Sequence, residues 1–271
     1  MQLGMLPLSE ALKLNLPLAR TKVAVQANKG TRQINETAGI QFIPSVVWTS
    51  KAFPEDLALY EQSLRVVAAS LSADKAPYLV IENEPNCNEE NGDVQRYLSM
   101  LKIALAVFGS EYEIYLGGLT YPALAAWACA LYHQEGAKDK VQVFVDHHMR
   151  HANASSVAFI TDLIAGINDS SLPVHFNFHC NVQPDVLATL PLVIEKIRSM
   201  YTGKIICGEC SFNQQNVHWV TEALNIMKDI DAVILYNGIG NGTAVVFTTE
   251  MEAMVQTFTK AKRFMHSLVL E

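Results

Sequence analysis

Short, mostly apolar runs bounded by turn residues alternate along the chain with longer segments of helical periodicity. That is the pattern of strand–helix units wound around a parallel sheet. Eight units can be counted, with strands predicted over Gln2–Leu6, Lys22–Gln26, Gln41–Val47, Tyr78–Ile81, Glu113–Gly117, Val174–Phe178, Lys204–Cys207 and Ala232–Leu235. Their near-continuous hydrophobicity suits strands buried on both faces, with a barrel interior on one side and a helix layer on the other. The expected fold is therefore α/β, a single (β/α)8 TIM barrel spanning residues 1–271.

Pro54-Glu55-Asp56 opens a helix with acidic residues in its first turn, where the helix dipole favours negative charge, and the periodicity runs to about Leu71. Asn91-Gly92-Asp93 precedes an amphipathic stretch that ends at Phe108 before Gly109. The second unit has only Thr31 to Ala38 for its helix. Tyr121 to Ser171 is too long for one, and we read it as a divided helical connection, Pro122–Gln134 and then roughly Ser155–Ile167. A ninth strand at Val141–Val145 would break the eightfold count. A doubly wound open sheet is the alternative architecture, but the first strand–helix turn lacks a glycine-rich fingerprint.

Composition narrows the partners. Twenty Lys and Arg against 27 Asp and Glu give a net charge of −7 with no basic run, which argues against nucleic acid and against an anionic membrane surface. The longest apolar run, Leu124 to Tyr132, is far short of the ~18 residues of a spanning helix. At this length a fold buries roughly three quarters of its unfolded surface and needs no disulfide or metal staple. The five scattered cysteines read as free thiols. The start carries no signal-peptide pattern, so a cytoplasmic location is the default; a leader removed upstream would leave the same start.

Two strand ends deliver carboxylates to one rim. The fourth strand runs into Glu82-Asn83-Glu84-Pro85-Asn86, and the seventh into Gly208-Glu209-Cys210-Ser211. Active sites of such barrels lie at the C-terminal ends of the strands, and a carboxylate there carries a desolvation cost that calls for a partner or a task. Two facing carboxyls about 5–5.5 Å apart are the apparatus of retaining glycoside hydrolysis.

Asn83-Glu84-Pro85 after strand four, together with Glu209 after strand seven, resembles the retaining glycoside hydrolases of clan A. The resemblance implies that Glu84 is the general acid/base, Glu209 the nucleophile and Asn83 a donor to the sugar 2-hydroxyl. It also implies a carbohydrate substrate, β-linked, cleaved by double displacement without a cofactor. His179, ending the sixth strand, falls where members often have a histidine that hydrogen-bonds substrate or carboxylate. Three positions depart from the pattern. The arginine expected on strand two is replaced by Gln26, a donor without charge. The tyrosine two residues after the histidine is replaced by Asn181. The strand-eight tryptophan is replaced by Tyr236 or Asn237. These losses keep open a second reading, a barrel that binds carbohydrate without hydrolysing it.

The remaining candidates are of other kinds. Trp48, ending strand three, could floor a sugar ring, whereas Trp127, on an apolar helix, reads as core. Glu82 reads as a salt-bridged or solvated neighbour of Glu84. In Cys207-Gly208-Glu209-Cys210, a regular strand would send the two thiols to opposite faces. The histidines at 147, 148 and 151 read as a solvated turn rather than a metal site, and no metal is expected. Gly238 to Gly242 reads as a mobile loop.

Overall fold

The computed structural model describes residues 1–6, 11–12, 16–27, 29–48, 53–87, 93–211, 217–236, 253 and 255. In chain order the elements are β1 (Gln2–Leu6), β2 (Leu18–Ala24), α1 (Thr31–Glu36), β3 (Gln41–Val47), α2 (Leu57–Ser70), β4 (Tyr78–Ile81), α3 (Val94–Phe108), β5 (Glu113–Leu116), β6 (Leu119–Thr120), α4 (Tyr121–Gln134), α5 (Lys138–Asp146), α6 (Ala154–Asp169), β7 (Phe176–Asn181), α7 (Pro184–Met200), β8 (Ile205–Ser211), α8 (Val217–Ile226) and β9 (Ala232–Tyr236). The strands pair in parallel in the order β5-β4-β3-β2-β1-β9-β8-β7-β6.

The two ends of that order are one passage of chain, interrupted at Gly117-Gly118. A parallel bridge from Tyr115 to His175 brings β5 to the start of β7, with Leu116 N donating to His175 O and His175 N to Ile114 O at 2.9 and 2.7 Å. Eight passages thus make the (β/α)8 barrel, and the ninth strand is the second half of the fifth passage.

Side-chain alternation sorts the strands into two cores. Leu18, Ile43, Val80, Tyr115, Ile206, Ala232 and Ile234 cluster inside the barrel, while Phe42, Val46, Leu79, Ile81, Phe176, Phe178 and Val233 belong to the larger core that reaches the helices. Helix starts follow the acidic signals: Asp56 accepts from the N–H groups of Ala58 and Leu59, and Asp93 from those of Gln95 and Arg96. Each such cap contributes about 1 kcal/mol. Gly109, at φ 64°, ends α3 in a conformation only glycine adopts freely. The long connection is helical throughout, and Val141–Val145 lies inside α5. Among the described residues no helix is long and apolar enough to cross a membrane.

One strand boundary differs with consequence. β2 begins at Leu18 and ends at Ala24, and Gln26 lies in the exposed turn beyond it. The β-branched Val23 and Val25 drew the expected strand forward, whereas Leu18-Ala19-Arg20 are residues of high helix propensity that parallel pairing with β1 and β3 holds extended.

Candidate active site

The shift of β2 supplies the missing cation. Two residues along the inward face from Leu18 stands Arg20, 3% exposed. Its Nε donates to Ser45 Oγ at 3.0 Å, Nη2 to Asn83 Oδ1 at 2.8 Å and Nη1 to Gly208 O at 3.3 Å. Nη1 also forms an ion pair with Glu209 Oε1. A buried guanidinium is tolerated only when its charge is paired and its donors are used. The expectation that strand two offers only Gln26 is therefore corrected: the positive charge beside Glu209 comes from Arg20.

Glu209 reaches the interior because β8 is irregular. The register with β7 and β9 slips between Cys207 and Cys210, inserting one extra residue. Such a bulge re-aims side chains. Ile206 faces inward and Cys207 outward, then Gly208-Glu209 occupy one step, so Cys210 again joins the outer core with Cys207. The two thiols share a face, against the regular-strand expectation. Gly208 is required here: its N–H donates to Asn177 Oδ1 at 2.9 Å, and a Cβ would lie 2.4 Å from that oxygen.

Glu84 sits on a strained loop. Glu82 and Glu84 both have left-handed backbones, φ 69° and 48°, each costing on the order of 1–3 kcal/mol for a non-glycine residue. Neighbours hold the shape. Glu82 N donates to Val46 O and Cys87 N to Glu84 O. Tyr97 Oη donates to Ile81 O at 2.8 Å and accepts from Gly117 N at 2.7 Å. Asn86 bonds Thr120 through both ends of its amide. Pro85 packs on Gly117, where a Cβ would come within 2.7 Å of the proline ring.

His179 joins the carboxylates. On β7 the outward Phe176, Phe178 and Cys180 alternate with inward Asn177 and His179. His179 Nδ1 lies 2.9 Å from Glu84 Oε1 and 3.7 Å from Glu209 Oε2. Among the described residues its Nε2 is buried without a partner, so Nδ1 is the nitrogen that carries a proton toward the carboxylates. The ring lies over Gly118, where a Cβ would come within 1.8 Å of Nε2. One oxygen of Glu84, one of Glu209 and a ring nitrogen lie within 4.8 Å of one another. Arg20 is paired with one of these carboxylates, which reduces the negative charge the trio would offer a cation.

Among the described residues Glu82 has no salt-bridge partner, and it is shielded from solvent, which corrects the expectation for it. It is 6% exposed and accepts from Trp48 N at 2.9 Å. Burial pushes its carboxyl up to about 8, opposed by the Trp48 N–H and the charge of Lys22. The left-handed turn at Glu82 breaks the strand alternation that would have carried the side chain toward the rim.

Trp48 is also corrected. It directly follows β3 as expected, but the residue is 7% exposed and its ring meets Tyr60 edge-on at 5.8 Å within the outer core. Ile43 and Ser45 take the inward positions, so Trp48 falls on the outward parity and offers no open face to a sugar. Trp127 is buried in α4. Asn181 is exposed at the end of β7, on the parity of His179, and Tyr236 is half-buried at the end of β9. Asn237 and the stretch from Gly238 to Gly242 lie outside the described residues. His147 bonds Asp185 at 2.9 Å on the surface; among the described residues the histidine cluster forms no metal-ligand group. Arg20 and Ser45 are the site residues that sequence reasoning missed. Pro17, which disfavours helix in the residue before it, was the signal for an earlier strand.

A cavity of about 400 Å³ opens at the opposite, N-terminal end of the barrel, beside Tyr78, Lys204 and Asp231. There Lys204 pairs with Glu113 and the Asp231 carboxylate accepts from Ile205 N, far from the strand ends that carry the carboxylates.

No family model and no curated protein matches the sequence. Solved structures do match. An endo-1,4-β-xylanase from Caldicellulosiruptor owensensis is similar with a TM-score of 0.57 at 10% identity, over 89% of this chain and 86% of that one. The intracellular xylanase of Thermoanaerobacterium saccharolyticum gives 0.56 at 10% identity, over 89% and 87%. A GH128 exo-β-1,3-glucanase from Aureobasidium namibiae gives 0.54 at 8% identity, over 92% and 88%. At such identities the likeness is one of fold, and the fold is that of TIM-barrel glycoside hydrolases.

Proposed function

We propose that this chain is a retaining glycoside hydrolase acting on a β-linked glycan or glycoside. The observation that carries the reading is the pair of carboxylates, Glu84 and Glu209, with oxygens within 4.8 Å of one another, one paired with Arg20 and both facing His179 Nδ1. Retaining enzymes keep such groups about 5–5.5 Å apart, whereas inverting enzymes leave roughly 6.5–9.5 Å for a water. The β-linkage follows the neighbours of the same fold, a 1,4-β-xylanase and a β-1,3-glucanase.

In this mechanism Glu209 attacks the anomeric carbon while Glu84 gives its proton to the departing glycosidic oxygen. Glu84 then takes a proton from water, which cleaves the glycosyl ester and restores both groups. Arg20 aligns the nucleophile and also fixes the Asn83 amide through its oxygen, leaving the NH2 to donate to a sugar hydroxyl. His179 Nδ1–H donates to Glu84 and lies 3.7 Å from Glu209, which orients the acid/base beside the nucleophile.

The two glutamates should fail differently on activated aryl glycosides. Glu84→Ala should spare formation of the intermediate more than its breakdown, and azide should restore turnover with retained configuration. Glu209→Ala should make no intermediate and with azide give at most the inverted glycosyl azide. Sugar binding by the wild type without turnover of any panel member would favour the non-hydrolysing barrel. Hydrolysis at the wild-type level by both variants would remove the assignment.

A further inference from the structure

The bulge that turns Glu209 inward leaves three thiols together on the other side of the sheet. Cys180 on β7 and Cys207 and Cys210 on β8 are 3%, 0% and 0% exposed. Their sulfurs lie within 4.8 Å of one another, with Cys180 and Cys207 at 3.7 Å. Cys180 stands directly opposite Cys210, in the pair next to His179 and Glu209. We propose that Cys180, Cys207 and Cys210 form a three-sulfur site for one soft monovalent cation of the copper(I) type, clamping β7 to β8 behind the nucleophile.

Geometry and donor chemistry both bear on the occupant. A metal–sulfur bond of about 2.3 Å puts the three sulfurs of a trigonal site about 4 Å apart, close to the 3.7 Å between Cys180 and Cys207 and inside the 4.8 Å that bounds all three spacings. Soft thiolate donors select copper(I) over harder ions. Zinc prefers four ligands, and among the described residues no fourth donor joins the group. The same three sulfurs bind whether or not the barrel hydrolyses a sugar, so the proposal stands apart from the assignment of Glu84 and Glu209.

The test uses the whole chain, reduced and free of oxygen, titrated with copper(I) supplied as its acetonitrile complex against a competing copper(I) chelator. One equivalent should be retained, and X-ray absorption at the copper edge should show three sulfurs near 2.3 Å. Cys180→Ser, Cys207→Ser and Cys210→Ser should each weaken retention at least 100-fold, while the double variant Cys87→Ser/Cys129→Ser should not. The absorption spectrum of wild-type protein decides the matter if a serine variant fails to fold. No retained copper, two-sulfur coordination, or unchanged retention in folded Cys207→Ser would overturn the proposal.

Discussion

Replacing Glu82 by glutamine should change how stability depends on pH. The Glu82 carboxyl is pushed from 4.5 to about 8, chiefly by burial. The charges facing it are few: Lys22 favours the ionised form, while Tyr60 and Tyr97 are neutral phenols whose ionisation burial and Glu82 oppose. Between those two values the native state holds a proton that the unfolded state has lost. Stability therefore falls as pH rises through this window, by about 1.4 kcal/mol per pH unit. The whole window is worth on the order of 5 kcal/mol, a large part of the ~5–15 kcal/mol of a typical domain. Below the window the two states bind equally and the slope vanishes.

Glu82→Gln keeps an acceptor for Trp48 N and removes the titration. Urea unfolding of wild type and variant at half-unit steps from pH 4.5 to 8.5 should show the variant gaining on the wild type as pH rises, then levelling off. Glu82→Ala supplies the control, because it leaves the Trp48 N–H unpartnered at a cost of about 1–3 kcal/mol at every pH. Parallel curves for wild type and Glu82→Gln would refute the reasoning.

Three further outcomes follow from the site. Gly118→Ala puts a methyl group into the His179 ring; kcat/KM should fall about 100-fold, since small displacements of catalytic groups cost that much. Arg20→Lys cannot serve Glu209, Asn83 and Ser45 together from one ammonium group, and should lower kcat at least 100-fold with a smaller change in KM. Activity should survive prolonged treatment with a divalent-metal chelator, because the carboxylate chemistry uses no such ion; loss on chelation with recovery on adding zinc or manganese would contradict it.

The sequence pointed to Glu84, Glu209 and His179 because each lies at or just beyond the apolar run of a strand, which puts it near the C-terminal rim. Arg20 was hidden because it lies inside a strand, directly after the helix-favouring Leu18 and Ala19, and its burial rests on partners up to 189 positions away. The bulge at Gly208-Glu209 was equally hidden, since a one-residue slip belongs to the pairing with both neighbours. Missing it reversed the expected facing of Cys207 and Cys210. Glu82 and Trp48 were misplaced by parity: one left-handed residue, or one step along β3, decides between rim and outer core. Glycine was the underused signal. Gly117, Gly118 and Gly208 each sit where a Cβ would strike a site residue or the loop that carries one.

The central claim is that Glu209 bonds covalently to the sugar. A 2-fluoro-2-deoxy glycoside with a dinitrophenyl leaving group slows both steps, but its good leaving group spares the first, so a double-displacement enzyme accumulates its intermediate. Incubation with gluco- and xylo-configured reagents, then intact-mass analysis and peptide mapping, should show one sugar per chain on the peptide containing Glu209, and none in Glu209→Ala. An unmodified protein that nonetheless hydrolyses the parent glycosides, or a sugar mapped to another residue, would contradict the account.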